Sequence, residues 1–306
     1  MKIIIFGSGG VGGYFGARLA AIGEDVRFIA RGAHLDAMQG NGLQVNSPLG
    51  DKHVAEVRAT DTVADCGIAD MVFVAVKLYD TDAAAEAIRP AVGPDTTLVS
   101  FQNGVSGGDI LIRAFGRERV IGGSASIAAR IQKPGVIEHT GTMAMLAFGE
   151  WDGAPAPRTQ GLLEACVKAG IDATLSDHID AVIWSKFIFL AAFSGITCTY
   201  REPIGPIRGD SEKRALFRRA LEETYAIARA RGVTLGDDLI DKRMTFTDGL
   251  PAQMSSSMFH DLAAGKRLEL PWLSGAVVDF GRDAGIDTPV HLAFVEALAS
   301  HVDGDG

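Results

Sequence analysis

The stretch KIIIFGSGGVG at residues 2–12 decides the fold of this chain. Residues 2–6 are rich in β-branched side chains, which favours a strand, and a helical pattern runs from the glycines to about Ile22. In such a strand–turn–helix the first glycine permits a tight turn, and the second lets a pyrophosphate approach the backbone. The third glycine lets the helix pack closely on the strand.

The free N–H groups at the start of that helix favour bound phosphate. We therefore predict a dinucleotide site in the glycine loop, with a purely structural glycine turn as the alternative. The predicted cofactor-binding residues of the loop are Gly7, Ser8, Gly9, Gly10, Val11 and Gly12.

Further apolar runs alternate with helical stretches through the first half of the chain. The runs Asp25–Ala30, Met71–Val76 and Thr97–Phe101 show little polar alternation, which is typical of parallel strands buried on both faces. This pattern predicts an N-terminal Rossmann-type doubly wound sheet. Hairpin-like strands are expected at 127–130, 136–139 and 143–148, followed by a helix at 162–169 and a strand at 173–175.

After Asp177 the pattern changes to helices only. We therefore predict an α/β protein with two domains, at 1–177 and 178–306, the second all-helical, and a ligand cleft between them. The expected helices cover 178–200, 211–231, 237–244, 271–285 and 289–302.

Composition excludes several classes of partner. Lys plus Arg is 29 and Asp plus Glu is 38, a net charge of −9, which argues against nucleic acid. The three scattered cysteines fit a reducing cytosol, and the histidines do not occur at metal-ligand spacing. The apolar stretch 179–198 contains Asp180 and Lys186, so we predict a buried helix there and not a membrane-spanning one. A cytoplasmic protein without bound metal, as a monomer or a homodimer, is expected.

Cofactor choice is predicted at the end of the second strand. An NAD site would place an acid there, but no Asp or Glu lies between Arg27 and Leu35. Arg31 suits a 2′-phosphate, so NADP is favoured, unless Arg31 is simply a solvated loop residue. Lys77 and Asn103 follow the next two strands and are expected in the cofactor cleft, or else are ordinary polar residues where strands surface.

Lys186 is the first catalytic candidate because it stands inside a helix that is apolar on nearly all faces. Burial lowers the pKa of a lysine toward the range useful for proton donation. The alternative is a lysine whose head group extends into water.

Segments spread over the whole chain resemble the ketopantoate reductases. They are MKIIIFGSGGVGGYFGARLA at the start, the strand ending at Arg31, Val76-Lys77, Phe101-Gln102-Asn103-Gly104, Trp184-Ser185-Lys186, and the stretch from Ser256 through Glu269 to Gly275. Because they occur in one order along the chain, the resemblance is more specific than any single motif. It implies NADPH-dependent reduction of 2-dehydropantoate, a 2-oxo acid, in pantothenate synthesis.

The resemblance also implies individual roles. Lys186 would be the general acid on the substrate carbonyl, and Glu269 the carboxylate that hydrogen-bonds the substrate hydroxyl near that lysine. Ser257 would contact the substrate carboxylate, and Asn103 would lie near the nicotinamide and the lysine. The residues that match the NADPH site are Gly7, Gly9, Gly12, Arg31 and Lys77.

Three positions depart from the family's pattern. Leu190 and Ser194 stand where the best-known members have substrate-binding asparagines, and Ile204 replaces a further asparagine. Of these, Ser194 keeps a polar group for the substrate. Since apolar replacements remove hydrogen bonds on which selectivity depends, a less polar 2-oxo acid or ketone is the alternative substrate.

A non-catalytic NADPH-binding regulator is the alternative from another functional class. Such a protein would keep the glycine loop and Arg31, but it would have no reason to keep Lys186 together with Glu269. A Ser–Lys hydrolase is not favoured, because Ser185 and Lys186 face different directions on a helix and the chain has no GxSxG elbow.

Overall fold

The computed structural model describes residues 1–305 and divides the chain into two compact units, Met1–Val182 and Ile183–Gly306. The first unit is a mixed, mainly parallel sheet with helices, and the second is helical, which confirms the predicted fold class. The boundary that the sequence placed near residue 177 lies a few residues before this division.

The first unit contains ten strands and five α-helices among its described residues. The strands are β1 (Lys2–Phe6), β2 (Asp25–Ile29), β3 (Leu43–Asn46), β4 (Lys52–Val54), β5 (Arg58–Thr60), β6 (Met71–Val74), β7 (Thr97–Ser100), β8 (Val120–Lys133), β9 (Val136–Gly149) and β10 (Asp172–Leu175). The helices are α1 (Gly10–Ala21), α2 (Gly32–Asn41), α3 (Thr81–Ile88), α4 (Ser106–Phe115) and α5 (Pro157–Lys168).

The sheet has the order β4-β3-β9-β8-β7-β6-β1-β2-β5, with β10 paired to β9. The six strands β5-β2-β1-β6-β7-β8 run parallel, and the chain order reverses at β1, which lies between β2 and β6. Ligands of open α/β sheets bind outside the carboxyl ends of the strands at such a reversal.

The register aligns the carboxyl ends of four neighbouring strands. Phe6 pairs with Ile29 on one side and with Val74 on the other, and Val74 pairs with Ser100. The segments that follow these four residues therefore emerge at one edge of the sheet. They carry the glycine loop, Arg31, Lys77 and Asn103.

Burial on both faces explains the continuous apolar strands. Ile3 and Ile5 pack into the core on one face of the sheet, whereas Ile4 and Phe6 pack into the core on the other face. Each of these side chains is at most 3% exposed. A strand in this position cannot alternate polar with apolar residues without burying a polar group.

Three hairpin strands predicted around residues 127–148 are instead the two long strands β8 and β9, which pair antiparallel along most of their length. Register irregularities at Ile127/Ala129 and Ile131/Lys133 interrupt the period-2 pattern, which explains why the sequence breaks the strands too early. The sequence also does not identify the short strands β3, β4 and β5, which have only three or four residues each.

In the second unit, residues 183–305 form helices and no strand. The helices are α6 (Ile179–Tyr200, which begins before the division), α7 (Ile204–Gly209), α8 (Ser211–Ala230), α9 (Leu239–Gly249), α10 (Ser257–Ala263), α11 (Ser274–Ala284) and α12 (Pro289–Leu298), with short 3₁₀ helices at Leu270–Trp272 and Ala299–His301.

Helix α6 is the core of this unit. Phe189 contacts Phe217 of α8 and Phe246 of α9, with ring centroids 6.2 and 5.3 Å apart. A Cβ at Gly195 would meet Phe294 of α12 at 2.3 Å, so α12 packs directly on the helix backbone. The helix is long and apolar enough to cross a membrane by length and composition, with a mean hydropathy of 1.7, but 61% of its 18-residue apolar stretch is buried inside the protein. This is the buried helix that the sequence predicts.

Candidate active site

The glycine loop between β1 and α1 has the geometry that the sequence predicts. Gly7 has φ +103°, and a Cβ there would lie 2.7 Å from the Val76 nitrogen. A Cβ at Gly12 would lie 2.1 Å from the Gly7 carbonyl oxygen. Gly9, in contrast, faces open space, and no side chain caps the N-terminus of α1. The loop therefore leaves room and backbone N–H groups for a phosphate where the fold expects one.

The side chain of Ser8 forms a hydrogen bond within the fold. Its hydroxyl donates to the Ile29 carbonyl oxygen at 2.9 Å, and its backbone N–H points to the same oxygen at 3.2 Å. Both donors of Ser8 thus fasten the loop to β2, which argues against a direct contact with phosphate. Gly10 is confined by β8 instead, because a Cβ there would lie 2.1 Å from the Ala129 carbonyl oxygen.

The end of β2 presents Arg31 to solvent. Arg31 is the extended N-cap residue of α2 and its side chain is exposed. Among residues 1–305 it forms no ion pair, whereas Arg27 and Arg58 both bind Asp25. The absence of an acid at this strand end leaves an uncompensated guanidinium beside the glycine loop.

Gln102 organises the next two strand ends, and sequence reasoning missed it. Its Nε2 donates to the Val76 carbonyl oxygen at 3.0 Å and to Thr81 Oγ1 at 2.7 Å, while its Oε1 accepts from Ser100 Oγ at 2.9 Å. Gln102 is 7% exposed, so these bonds replace water for a buried amide. They tie the segment carrying Lys77 to the segment carrying Asn103, and both of those side chains are partly buried.

In the second unit, Lys186 and Glu269 form a pair of opposite charges that interact with each other. Lys186 lies on α6 with its side chain partly buried, and Glu269, just before the 3₁₀ helix Leu270–Trp272, is 2% exposed. Burial lowers the pKa of Lys186 to about 8, while the Glu269 carboxylate opposes this by favouring the ammonium. The lysine is therefore an acid that is charged at neutral pH and can release its proton at modest cost.

The serines predicted for the substrate have different environments. Ser194 is fully buried two turns after Lys186 on α6, and its hydroxyl has no hydrogen-bond partner among the described residues. Ser257 is exposed in the first turn of α10. Its neighbour Ser256, which sequence reasoning missed, caps α10 by accepting from the Phe259 N–H at 3.1 Å and lies 3.1 Å from Thr197 Oγ1 of α6.

Two family models match most of this chain. The family model of ketopantoate reductase PanE/ApbA matches residues 3–153, and the model of its C-terminal part matches residues 178–301. A 2-dehydropantoate 2-reductase of Mesorhizobium japonicum is 33% identical over 98% of both chains. The structure of a PanE/ApbA family ketopantoate reductase from Ralstonia eutropha JMP134 is 31% identical, with a TM-score of 0.90 over 99% of this chain and 98% of that chain.

A D-mandelate dehydrogenase, solved with NADH and anilino(oxo)acetate, shares the fold at 19% identity and a TM-score of 0.90, with 99% and 98% of the two chains covered. The fold and the matches together define an oxidoreductase. Within that class, the chain belongs to the ketopantoate reductase family, since the two family models cover most of its length.

Proposed function

We propose that this protein is a cytosolic, NADPH-dependent reductase of a 2-oxo acid, with 2-dehydropantoate as its principal substrate and pantothenate synthesis as its pathway. The observation that carries the proposal is the pairing of Lys186 with Glu269. A lysine with a pKa of about 8 beside a buried carboxylate is suited to protonate an oxygen that becomes negative during reduction.

In the proposed reaction the reduced nicotinamide supplies the hydride for the substrate's carbonyl carbon. Lys186 donates a proton from Nζ to the carbonyl oxygen, and its positive charge stabilises that oxygen as negative charge develops. Glu269 holds Lys186 charged and accepts a hydrogen bond from the substrate hydroxyl. We assign Ser194 and Ser257 to the substrate, and Lys77 and Asn103 to the cofactor side.

The glycine loop fits a dinucleotide. The space above Gly9 and the uncapped start of α1 suit a pyrophosphate, with Gly7, Gly10, Val11 and Gly12 shaping the loop. Arg31, which is exposed and has no ion-pair partner among residues 1–305, suits the 2′-phosphate that distinguishes NADPH from NADH.

Replacing Arg31 with alanine is expected to raise the KM for NADPH by about tenfold and that for NADH by less than about twofold, because a charge-assisted contact contributes roughly 1.5 kcal/mol or more. Steady-state kinetics with both cofactors measure the effect. Arg58→Ala is the control, because Arg58 is exposed and paired to Asp25. This variant should leave both KM values unchanged. Equal KM changes for the two cofactors would contradict the role of Arg31.

A second candidate is the same chemistry on a less polar 2-oxo acid. Leu190 lies one turn after Lys186 and is partly exposed, and Ile204 is fully buried. Both side chains are hydrocarbon, so neither can hydrogen-bond a substrate. A site without such hydrogen bonds is less selective for substrates that carry a hydroxyl group.

The test is kcat/KM with NADPH across 2-dehydropantoate and 2-oxo acids that lack its hydroxyl. A preference of at least about tenfold for 2-dehydropantoate, or roughly 1.4 kcal/mol, supports the principal substrate. A preference for the unhydroxylated acids selects the second candidate. NADPH binding without turnover of any 2-oxo acid would overturn the enzymatic proposal and leave a cofactor-binding regulator.

A further inference from the structure

His34 joins three segments that surround the glycine loop. It lies in the first turn of α2, three residues after Arg31, and its side chain is partly buried. Its Nε2 is 2.9 Å from the Ser8 carbonyl oxygen inside the loop. Its Nδ1 accepts a hydrogen bond from the Gly135 N–H at 3.1 Å, at the turn between β8 and β9. One imidazole therefore connects the loop, the start of α2 and the hairpin turn.

The two partners dictate the protonation state of the ring. A carbonyl oxygen only accepts and a backbone N–H only donates, so Nε2 carries the hydrogen and Nδ1 presents its lone pair. The imidazole is neutral in this arrangement, and burial lowers the pKa of His34, which favours the neutral form. Both ring nitrogens are used by the protein, so His34 itself is not available to a ligand.

Few other hydrogen bonds fix the position of Arg31. The start of α2 has no side-chain cap, and the bond from the Leu35 N–H to the Arg31 carbonyl oxygen is long, at 3.4 Å. The hairpin turn also packs against α2, since a Cβ at Gly135 would lie 3.1 Å from that of Ala37. The bond from His34 to the Ser8 carbonyl is thus the direct side-chain link between the first turn of α2 and the glycine loop.

We infer that His34 is a positioning residue that sets the spacing between Arg31 and the glycine loop, and thereby the preference for a dinucleotide with a 2′-phosphate. The pyrophosphate and the 2′-phosphate belong to one molecule, so the loop and Arg31 can engage both only if their spacing is fixed in advance. A dinucleotide without the 2′-phosphate contacts the loop alone and does not depend on this spacing. The inference rests on the proposed NADPH site and adds the residue that organises it.

The test measures Kd for NADPH and NADH by fluorescence titration of the full-length protein carrying His34→Ala, His34→Gln or His34→Asn. Glutamine can still donate to the Ser8 carbonyl oxygen, whereas asparagine is too short to reach it. Gln39→Ala is the matched control, because it removes a hydrogen bond from the same helix to the Ala59 carbonyl oxygen, away from the loop. The thermal unfolding midpoint of each variant shows whether a change in Kd comes with a loss of folding stability.

His34→Ala is expected to weaken NADPH binding by about tenfold and NADH binding by less than about twofold, as the loss of one or two orienting hydrogen bonds implies. The asparagine variant should behave like alanine, the glutamine variant should recover to within about threefold of wild type, and the Gln39 control should bind normally. Adding Arg31→Ala to His34→Ala should cost little beyond Arg31→Ala alone, since His34 acts through Arg31.

Equal losses for both cofactors, additive effects with Arg31→Ala, or no loss in His34→Ala would each overturn the inference. The proposed function is judged separately, on the unmodified protein. If that protein bound NADPH no more tightly than NADH, the cofactor assignment itself would be wrong, whatever the variants did.

Discussion

Lys186→Ala is expected to lower kcat by about 10²–10⁴-fold, the usual contribution of a general acid. Alanine can neither protonate the carbonyl oxygen nor stabilise its developing charge, and both effects operate in the transition state. The dissociation constant for NADPH should stay near the wild-type value, because Lys186 is assigned to the substrate and not to the cofactor. Stopped-flow measurement of NADPH oxidation at saturating substrate gives the effect directly.

Ser185→Ala is the control for Lys186, since Ser185 is its neighbour on α6 but binds Arg243, with Nη2 to Oγ at 2.6 Å. This variant should keep kcat within about threefold, the size of one modest hydrogen-bond effect. A folded, cofactor-binding Lys186→Ala protein with kcat within about threefold of wild type, far from the general-acid loss, would remove Lys186 from the mechanism.

Glu269→Gln is expected to reduce kcat at pH 7 by about tenfold, to raise KM, and to move the pH profile. In the wild type, kcat should fall as the pH rises through about 8, where Lys186 loses its proton. Because Glu269 raises the pKa of Lys186, its removal should shift that alkaline limb to lower pH, typically by about a unit or more for a close opposite charge. The kcat–pH profile from pH 5.5 to 9.5, roughly the span needed to bracket such a limb, measures the shift.

The double variant Lys186→Ala/Glu269→Gln separates the two roles of Glu269. If Glu269 acts through the lysine, the double variant should be about as slow as Lys186→Ala alone, because residues that act as a unit are not additive. If the alkaline limb of the kcat–pH profile of Glu269→Gln lay at the same pH as in the wild type, Glu269 would not raise the pKa of Lys186.

The parts of the molecule that are local in sequence could be predicted from it. Lys2–Phe6 and the glycines after it are a strand, a turn and a helix start because each depends on neighbouring residues. The apolar run around Lys186 predicts the buried helix α6 for the same reason, since a helix apolar on nearly all faces needs cover all around.

The residues that were missed act through distant partners. Gln102 acts through Thr81, His34 through Gly135, and Ser256 through Thr197, so each role appears only when the strands and helices are in place. Ser8 also has a distant partner. Its place in the loop motif suggests a phosphate contact, but its hydroxyl donates to the Ile29 carbonyl oxygen at the end of β2.

The apolar surface of helix α6 has a consequence during synthesis of the chain on the ribosome. This surface is covered by residues that are translated later, among them Phe217, Phe246 and Phe294, so the nascent helix leaves the ribosome without its partners. At that stage it has the length and hydropathy of a membrane segment. A lysine at the centre of such a segment costs about 2.5–3.5 kcal/mol on insertion into a bilayer, and one nearer an end costs less. The charge of Lys186 is therefore expected to oppose insertion of α6 into a membrane before the second unit has folded.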